Sequence, residues 1–268
     1  MSAPAGVHAL LIDLDGVLYV EDEPVPGAVD AVRALRAAGV GLRFVTNTTS
    51  RSRGHTLEKL DRLGFGVAAE ELITPAALAV AHCRAEGRTR VALLMHDEVK
   101  ADLAELEEAA DEVEAVIVGD LGERFDYAVL NQAFRHLLAG AQLVALQRNR
   151  YWLRADGLSL DVGPFVAALE YAADVEAVVV GKPAPAFFRL AVEQLGAEPG
   201  ATAMVGDDIE SDIGGALDAG LQAILVRTGK YREEAVRASG VEPTATAGSI
   251  AEVPALLGLN RPAGAPAE

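Results

Sequence analysis

The chain alternates short, almost continuously apolar runs with longer amphipathic segments, and this alternation constrains its fold more than any other feature. Apolar runs of strand length occupy residues 8–12, 41–45, 177–180, 201–205 and 222–226. Segments with helical spacing of apolar residues lie between them, at residues 27–38, 56–63, 186–195 and 213–219. Strands that lack polar alternation are buried on both faces. The pattern therefore predicts an α/β fold with a parallel sheet covered by helices on both sides.

The middle of the chain repeats this alternation as a second unit. Its strand-like runs are residues 91–94, 115–118 and 143–146, and its expected helices are residues 99–110, 131–138 and 165–172. We expect an α/β domain over residues 80–178, inserted into a first domain made of residues 1–79 and 179–260. Residues 261–268 are rich in Pro, Ala and Gly and are expected to form a flexible tail.

Charge and cysteine content exclude several classes of partner and site. The chain has 23 Lys and Arg against 40 Asp and Glu, which gives a formal net charge of −17. Nucleic acids and anionic membrane surfaces require a basic face, so we expect neither as a partner. The only cysteine, Cys83, excludes an internal disulfide. The sequence shows no transmembrane run and no signal-peptide pattern, and we expect a cytoplasmic protein.

Polar side chains follow four of the predicted strands at the point where each strand ends. Ligands of open α/β sheets bind beyond the carboxyl ends of the strands, so we expect these side chains to meet at one edge. In chain order they are Asp13, Asp15 and Gly16; Thr46, Asn47 and Thr48; Lys182; and Asp207, Asp208 and Asp212.

The residue types in these segments suit phosphate and metal chemistry. Asp13, Asp15 and Asp207 would form an all-oxygen site of the kind that Mg²⁺ prefers. A compact lysine such as Lys182 can neutralise an aspartate nucleophile and a phosphate oxygen together. Taken singly, each segment is also compatible with a turn, a helix cap or a surface lysine. Their joint occurrence, in order and at strand ends, favours a functional site.

These segments resemble the four motifs of the haloacid dehalogenase (HAD) superfamily of phosphatases. The motifs are DLDGV (13–17), VTNTTS (45–50), VGKP (180–183) and VGDDIESDI (205–213). The insert between the second and third motifs, with GPFVAALEYA (163–172), is similar to class IIA, the NagD-like subgroup with a type C2 cap. LLMHDEVKADL (93–103) and LVRTGKYR (225–232) look similar to the phospholysine phosphohistidine inorganic pyrophosphate phosphatase group. The resemblance implies a Rossmann-like HAD core with an inserted α/β cap domain.

The resemblance also implies catalytic roles for three residues. Asp13 is implied to be the nucleophile that forms an aspartyl-phosphate. Asp15 is implied to be the general acid and base, which protonates the leaving oxygen and then activates water. Lys182 is implied to balance the charge of Asp13 and the phosphate.

Ligand-binding roles follow from the same resemblance. The implied phosphate-binding residues are Thr46, Asn47, Gly16 and Thr48. The implied cofactor is Mg²⁺, and the implied metal-binding residues are Asp13, Asp15 through its main-chain carbonyl, Asp207, Asp212 and Asp208. The cap is expected to set substrate specificity.

The sequence therefore predicts a Mg²⁺-dependent phosphatase that hydrolyses a small phosphorylated metabolite through an aspartyl-phosphate on Asp13. Two alternatives remain open at this point. One is an enzyme that hydrolyses inorganic pyrophosphate or a phosphoamide, and the other is a regulator that binds a phosphorylated ligand without turnover. A homodimer formed through the cap is a further expectation.

Overall fold

The computed structural model describes residues 4–154 and 157–259, so the tail expected at residues 261–268 lies outside the described residues. The strands are β1 Ala9–Asp13, β2 Tyr19–Val20, β3 Glu23–Pro24, β4 Gly41–Val45, β5 Leu72–Ile73, β6 Arg90–Leu94, β7 Glu107–Glu108, β8 Ala115–Val118, β9 Gln142–Ala145, β10 Tyr151–Arg154, β11 Gly157–Leu160, β12 Val178–Val179, β13 Thr202–Gly206, β14 Gln222–Val226 and β15 Ala245–Ala247. The α-helices are α1 Ala28–Ala37, α2 Arg53–Arg62, α3 Pro75–Ala85, α4 Asp97–Lys100, α5 Tyr127–Leu138, α6 Val162–Ala173, α7 Pro185–Leu195, α8 Gly215–Asp218, α9 Glu233–Ser239 and α10 Val253–Leu256. A π-helical segment, Ile209–Gly214, precedes α8.

The chain divides into two compact units. Unit 1 consists of Met1–Thr46, Leu57–Ile73 and Pro185–Glu268. Unit 2 consists of Asn47–Thr56 and Thr74–Ala184. Each unit is built on its own parallel sheet, which confirms the predicted α/β fold class.

Unit 1 has a six-stranded parallel sheet with the strand order β15-β14-β13-β1-β4-β5. Strand β1 lies between β13 and β4, and Ala9 pairs with both Thr202 and Gly41. Every residue of β1 and β13 is buried, as expected for inner strands that are covered on both faces. Because the pairing is parallel, Asp13 at the end of β1 and Gly206 at the end of β13 lie at the same edge.

Helix α1 shows how the sequence determines the packing of unit 1. Its buried positions are Ala28, Ala31, Val32 and Leu35, the spacing of a single helical face. Leu35 joins the alternate residues of β1 in one apolar cluster with the neighbouring strands. Phe187 and Phe188 of α7 are fully buried, and α7 contacts β4 and α8.

Unit 2 has a five-stranded parallel sheet with the order β12-β9-β8-β6-β7. All four residues of β8 are buried. Helices α5 and α6 contact each other, and Asp126 caps α5 by accepting a hydrogen bond from the main-chain N–H of Val129 at 2.9 Å. An antiparallel hairpin, β10–β11, lies outside this sheet.

One secondary-structure prediction is wrong: residues 99–110 do not form a helix. The helix α4 ends at Lys100, a 3₁₀ turn follows, and β7 then pairs with β6. The main-chain N–H of Glu107 donates to Thr89 at 2.8 Å, and that of Ala109 donates to Val91 at 2.9 Å. These bonds to the edge of the sheet outweigh the local preference of the segment for a helix.

Within residues 4–154 and 157–259, no helix has both the length and the apolar character that crossing a membrane would require.

Candidate active site

Three buried carboxylates form a cluster in unit 1. Asp13 ends β1, Asp207 follows β13, and Asp212 lies in the π-helical segment. Each offers a carboxylate oxygen, and these oxygens lie within 4.8 Å of one another. We call Asp13, Asp207 and Asp212 the carboxylate triad. Three carboxylates this close repel one another unless a cation or a proton lies between them.

Asp207 shows that the triad is suited to a cation. Its Oδ2 accepts a hydrogen bond from the main-chain N–H of Lys230 at 2.6 Å. Its Oδ1 is buried and has no hydrogen-bond partner among the described residues. Burial, and then the charges of Asp13 and Asp212, raise the pKa of Asp207 to about 8. An orphaned oxygen among three hard oxygen donors fits Mg²⁺ or a similar divalent ion.

Glycines allow the backbone to approach the triad closely. A Cβ atom on Gly16 would lie 2.0 Å from Asp207 Oδ2, and one on Gly229 would lie 1.9 Å from the same oxygen. Both glycines have positive φ values, +81° and +58°. A Cβ atom on Gly206 would lie 2.3 Å from the Cβ of Asp212. The triad can therefore form only where these positions lack a side chain.

Asp15 is exposed, unlike the triad, and is held in a short turn with Tyr19. The main-chain N–H of Gly16 donates to the Tyr19 carbonyl at 2.7 Å. Tyr19 is buried, and burial together with the charges of Asp15 and Asp13 raises the pKa of its hydroxyl. The Lys59 ammonium lies 4.1 Å from the centroid of the Tyr19 ring. The turn thus keeps Asp15 next to the triad while leaving its side chain open to solvent.

Asp208 is placed differently from its neighbour Asp207. Its Oδ1 caps the π-helical segment by accepting hydrogen bonds from the N–H groups of Glu210 at 3.1 Å and Ser211 at 3.0 Å. Burial alone would raise the pKa of Asp208, but the Ser211 hydrogen bond and the Lys230 charge outweigh burial and lower it. Asp208 is therefore an anchor for the segment that carries Asp212.

The sequence interpretation missed Lys230. Its ammonium lies 3.7 Å from Asp208 Oδ2, and its main chain holds Asp207. Partial desolvation by the surrounding loop would lower the pKa of Lys230, but the charges of Asp208, Asp13, Asp212 and Asp207 outweigh it and raise the pKa. The motif LVRTGKYR contained this lysine, but only the pairing of β14 with β13 places it beside the triad.

Two of the predicted phosphate and charge-balancing residues lie in unit 2 and are bonded to each other. The Asn47 Nδ2 donates to the Lys182 carbonyl at 2.9 Å, and the Lys182 N–H donates to Asn47 Oδ1 at 2.9 Å. Lys182 is buried. A Cβ atom on Gly181 would lie 2.3 Å from the Leu146 carbonyl oxygen, so only glycine permits this arrangement.

The two predicted phosphate-binding threonines lie in different units. Thr48 is half-buried in unit 2. Thr46 is the last residue of the first segment of unit 1. It is buried, and its main-chain N–H donates to the Ile73 carbonyl at 3.3 Å.

The segment from Asn47 to Thr56 is fastened to the body of unit 2 by acidic side chains. Glu98 Oε1 accepts hydrogen bonds from both the main-chain N–H and the hydroxyl of Ser52, each at 3.0 Å. Asp102 Oδ2 accepts one from the Arg53 N–H at 2.7 Å. The Thr49 hydroxyl oxygen accepts one from the Asp120 N–H at 3.2 Å. These bonds fix the segment that presents Asn47 to Lys182.

Unit 2 also contains an open cavity of about 430 Å³. Arg148 is one of its walls and is paired with Glu170 at 2.6 Å. The cavity lies beside the start of α6, where Gly163 N–H donates to the Asn149 carbonyl at 2.9 Å. Its lining residues are Arg148, Arg150, Tyr151, Leu160, Gly163, Pro164 and Ala167.

Comparison with known families gives two matches along the chain. A family model described as haloacid dehalogenase-like hydrolase matches residues 10–108. A second model, of HAD hydrolase-like proteins, matches residues 179–253. The first match contains Asp13 and Asn47, and the second contains Lys182 and the other two members of the triad.

Individual proteins are similar over most of the chain. The chain is 46% identical to haloacid dehalogenase-like hydrolase domain-containing protein 2 of Homo sapiens over 233 residues, 87% of this chain and 88% of the relative. It is 44% identical to phospholysine phosphohistidine inorganic pyrophosphate phosphatase of Xenopus laevis over 234 residues, 85% of this chain and 86% of the relative.

Solved structures share the fold. The p-nitrophenyl phosphatase from Archaeoglobus fulgidus superimposes with a TM-score of 0.87 at 28% identity, covering 93% of this chain and 99% of that one. NagD from E. coli K-12 superimposes with a TM-score of 0.83 at 23% identity, covering 94% of this chain and 98% of that one. The NagD likeness concerns the fold alone.

Proposed function

The chain belongs to the haloacid dehalogenase-like hydrolases and is a class IIA phosphatase. From this premise we propose that it hydrolyses a small phosphorylated metabolite, with Mg²⁺ held by the carboxylate triad. The observation that carries the proposal is the triad itself. Its oxygens lie within 4.8 Å of one another, and Asp207 Oδ1 lacks a hydrogen-bond partner in the described part of the chain.

The proposed metal ligands are Asp13, Asp207, Asp212 and the main-chain carbonyl of Asp15. When bound, Mg²⁺ offsets the charge of the carboxylates and of the phosphoryl oxygens. Lys230 holds Asp207 Oδ2 through its main chain, which leaves Oδ1 for the ion. Asp208 anchors the segment that carries Asp212.

We propose Asp13 as the nucleophile and Asp15 as the acid and base. A carboxylate oxygen of Asp13 forms a bond to phosphorus while the bond from phosphorus to the leaving oxygen breaks. Asp15 supplies the proton that the leaving oxygen takes up. In the second step a water oxygen forms a bond to phosphorus and gives its proton to Asp15, while the bond between phosphorus and the Asp13 oxygen breaks, which releases inorganic phosphate and restores the Asp13 carboxylate. The exposure of Asp15 supports this role, because a group that exchanges protons with water and the leaving group must be reachable.

Thr46, Asn47, Thr48 and Gly16 are proposed to bind the phosphoryl oxygens, and Lys182 to balance their charge. The mutual hydrogen bonds of Asn47 and Lys182 support a joint role, because each fixes the position of the other. A buried ammonium requires a negative partner. A phosphoryl group would supply further negative charge during turnover.

A second candidate is hydrolysis of inorganic pyrophosphate or a phosphoamide. It is favoured by the 44% identity to a relative named phospholysine phosphohistidine inorganic pyrophosphate phosphatase. The binding-only alternative is not retained, because the chain is a phosphatase. A cytoplasmic location and a homodimer formed through unit 2 remain parts of the proposal, to be tested by cell fractionation and by light scattering on the purified protein.

The test is hydrolysis of p-nitrophenyl phosphate by the wild type and by Asp13→Asn, with Mg²⁺ and with excess chelator. We expect Asp13→Asn to reduce kcat by about 10³-fold or more, because a neutral amide is a poor nucleophile toward phosphorus. Asp22→Asn, an exposed acid of unit 1, is the matched control and should retain activity. Acid-quenched wild type should carry a phosphoryl group on the peptide containing Asp13. Full activity of Asp13→Asn would refute the nucleophile, and full activity in chelator would refute the metal.

A further inference from the structure

The loop that follows β14 is the most basic short segment beside the carboxylate triad. Residues 227–232 read RTGKYR and contain Arg227, Lys230 and Arg232, in a chain whose net charge is −17. Strand β14 pairs with β13 in parallel, and Gly206 of β13 lies opposite Leu225. The loop therefore leaves the sheet at the edge where Asp207 follows β13. The function proposed above does not use this concentration of positive charge.

The loop is fixed to the triad through its main chain. Gly229 packs against Gly16 and Asp207, and a Cβ atom on Gly229 would lie 2.5 Å from the Gly16 Cα. The Lys230 N–H donates to Asp207 Oδ2 at 2.6 Å. The Arg232 guanidinium braces the loop by donating to the Tyr231 carbonyl at 2.7 Å and the Gly229 carbonyl at 3.2 Å. The main chain of Lys230 is thus held beside the triad.

The Lys230 ammonium retains capacity for another anion. Its side chain is 60% exposed, and its ion-pair partner Asp208 Oδ2 is 3.7 Å away, beyond the length of a good hydrogen bond. Asp208 is already engaged through Oδ1 in capping the π-helical segment. An exposed ammonium on a flexible side chain can bind an anionic oxygen.

We propose that Lys230 binds a second anionic group of the substrate, beside the phosphoryl group that is transferred. The substrate class is then a phosphorylated compound with a carboxylate or another phosphoryl group near the reacting one. This inference rests on the proposed phosphatase function. Arg227 and Arg232 contribute positive charge to the loop, while Lys230 is the residue that contacts the ligand.

The first test measures binding without turnover. Methylenediphosphonate carries two anionic groups and methylphosphonate carries one, and neither is hydrolysed. Calorimetry with Mg²⁺ present should show that Lys230→Gln loses about tenfold in affinity for the diphosphonate, since a hydrogen bond to a charged group contributes that much. The loss for methylphosphonate should be under about threefold on the same scale. Lys230→Arg should retain most of the preference, and Arg237→Gln, the same charge change on α9, should leave both affinities unaltered.

The second test measures kcat/KM for pyrophosphate, phosphoglycolate and glycerol 2-phosphate. Lys230→Gln should lower kcat/KM about tenfold more for the substrates with a second anionic group than for glycerol 2-phosphate. An effect on pyrophosphate alone would identify the second group as a phosphoryl group, and an effect on both would include carboxylates. Equal losses on all three substrates, or no loss, would overturn the inference. If no phosphate ester were hydrolysed by the wild type, the proposed function would fail, and the diphosphonate affinities would still decide the role of Lys230.

Discussion

Asn47 and Lys182 hold each other through two hydrogen bonds of 2.9 Å, one in each direction. The Asn47 amide donates to the Lys182 carbonyl and accepts from the Lys182 N–H. Only a side chain with both a donor and an acceptor in a plane can make this pair of bonds. The two residues come from separate motifs, so the bonds join positions that are 135 residues apart. Any change that removes one bond should therefore affect both motifs.

Asn47→Asp tests this pairing. The aspartate keeps an acceptor for the Lys182 N–H but places a carboxylate against the Lys182 carbonyl. We expect kcat to fall at least about tenfold, and stability to fall by about 1 kcal/mol for the lost hydrogen bond. For a chain of this size that loss corresponds to a Tm decrease of about 2–4 °C. Asn131→Asp, the same chemical change in the same unit, should leave kcat and Tm near the wild-type values. If Asn47→Asp changed kcat and Tm as little as Asn131→Asp does, the argument from the pair of hydrogen bonds would be contradicted.

Gly229→Ala should break the carboxylate triad, while Gly240→Ala should not. Both glycines have positive φ values, +58° and +68°, so alanine is strained at either position by about 1 kcal/mol. At Gly229 the new Cβ would also lie 1.9 Å from Asp207 Oδ2, whereas at Gly240 nothing lies within 4 Å. We expect only Gly229→Ala to lose divalent-metal binding, measured by calorimetry, and to lose activity. Equal behaviour of the two variants would mean that backbone strain alone accounts for the effect.

Glu98→Gln should make the free energy of unfolding depend less on pH in the acidic range. The Ser52 main-chain N–H, opposed by partial burial and aided by the Ser52 hydroxyl and Arg51, lowers the pKa of Glu98. A carboxyl with a lowered pKa in the folded state contributes stability above its unfolded pKa, near 4.3, and loses that contribution as pH falls through the folded pKa. We therefore expect Glu98→Gln to be less stable than the wild type at pH 7.

Urea unfolding at a series of pH values provides the measurement. The difference in unfolding midpoint between the wild type and Glu98→Gln should shrink below about pH 4. Glu123→Gln, which removes an exposed acid from the same unit, should show a smaller difference at pH 7. A difference that stays constant from pH 7 to pH 3 would show that Glu98 acts through packing and not through its charge.

Cys83 should be unreactive in the folded protein. It lies in α3 with its thiol fully buried, and burial, opposed only by the Arg88 charge, raises its pKa to about 11. Since the thiolate is the reactive form, an aromatic disulfide reagent at pH 8 should modify Cys83 slowly in buffer and rapidly in denaturing urea. Rapid modification of the native protein would mean that α3 opens frequently.

Much of unit 1 could be predicted because its inner strands are apolar throughout and each ends on a polar motif. Parallel pairing brings the ends of adjacent strands to one edge, so Asp13 and Asp207 could be expected to approach each other from strand order alone. Strand β14 was predicted with its observed bounds, Gln222–Val226. Strand order does not specify which residue acts as nucleophile, as acid and base, or as metal ligand. Those roles were implied by the family resemblance.

Other features depend on contacts that local sequence does not record. Lys230 acquires its place from the pairing of β14 with β13 and from two glycines that pack together. The attachment of the Asn47 segment to unit 2 depends on Glu98 and Asp102, nearly fifty positions further along the chain. Residues 99–110 do not form the expected helix, because the end of this segment makes main-chain hydrogen bonds with β6 and the residue before it. The helical spacing of apolar residues in the sequence gives no sign of these bonds.

The pairing of Ala9 with Thr202 has a consequence for biosynthesis. Strand β1 is synthesised before the whole of unit 2, and its neighbour β13 is synthesised after it. The sheet of unit 2 draws its strands from one uninterrupted stretch, β6 to β12, and can form earlier. Asp13 therefore has neither Asp207 nor Asp212 beside it until translation has passed unit 2. A chain that stops before Asp207 cannot bring three carboxylates together, so the triad forms only after unit 2 has been made.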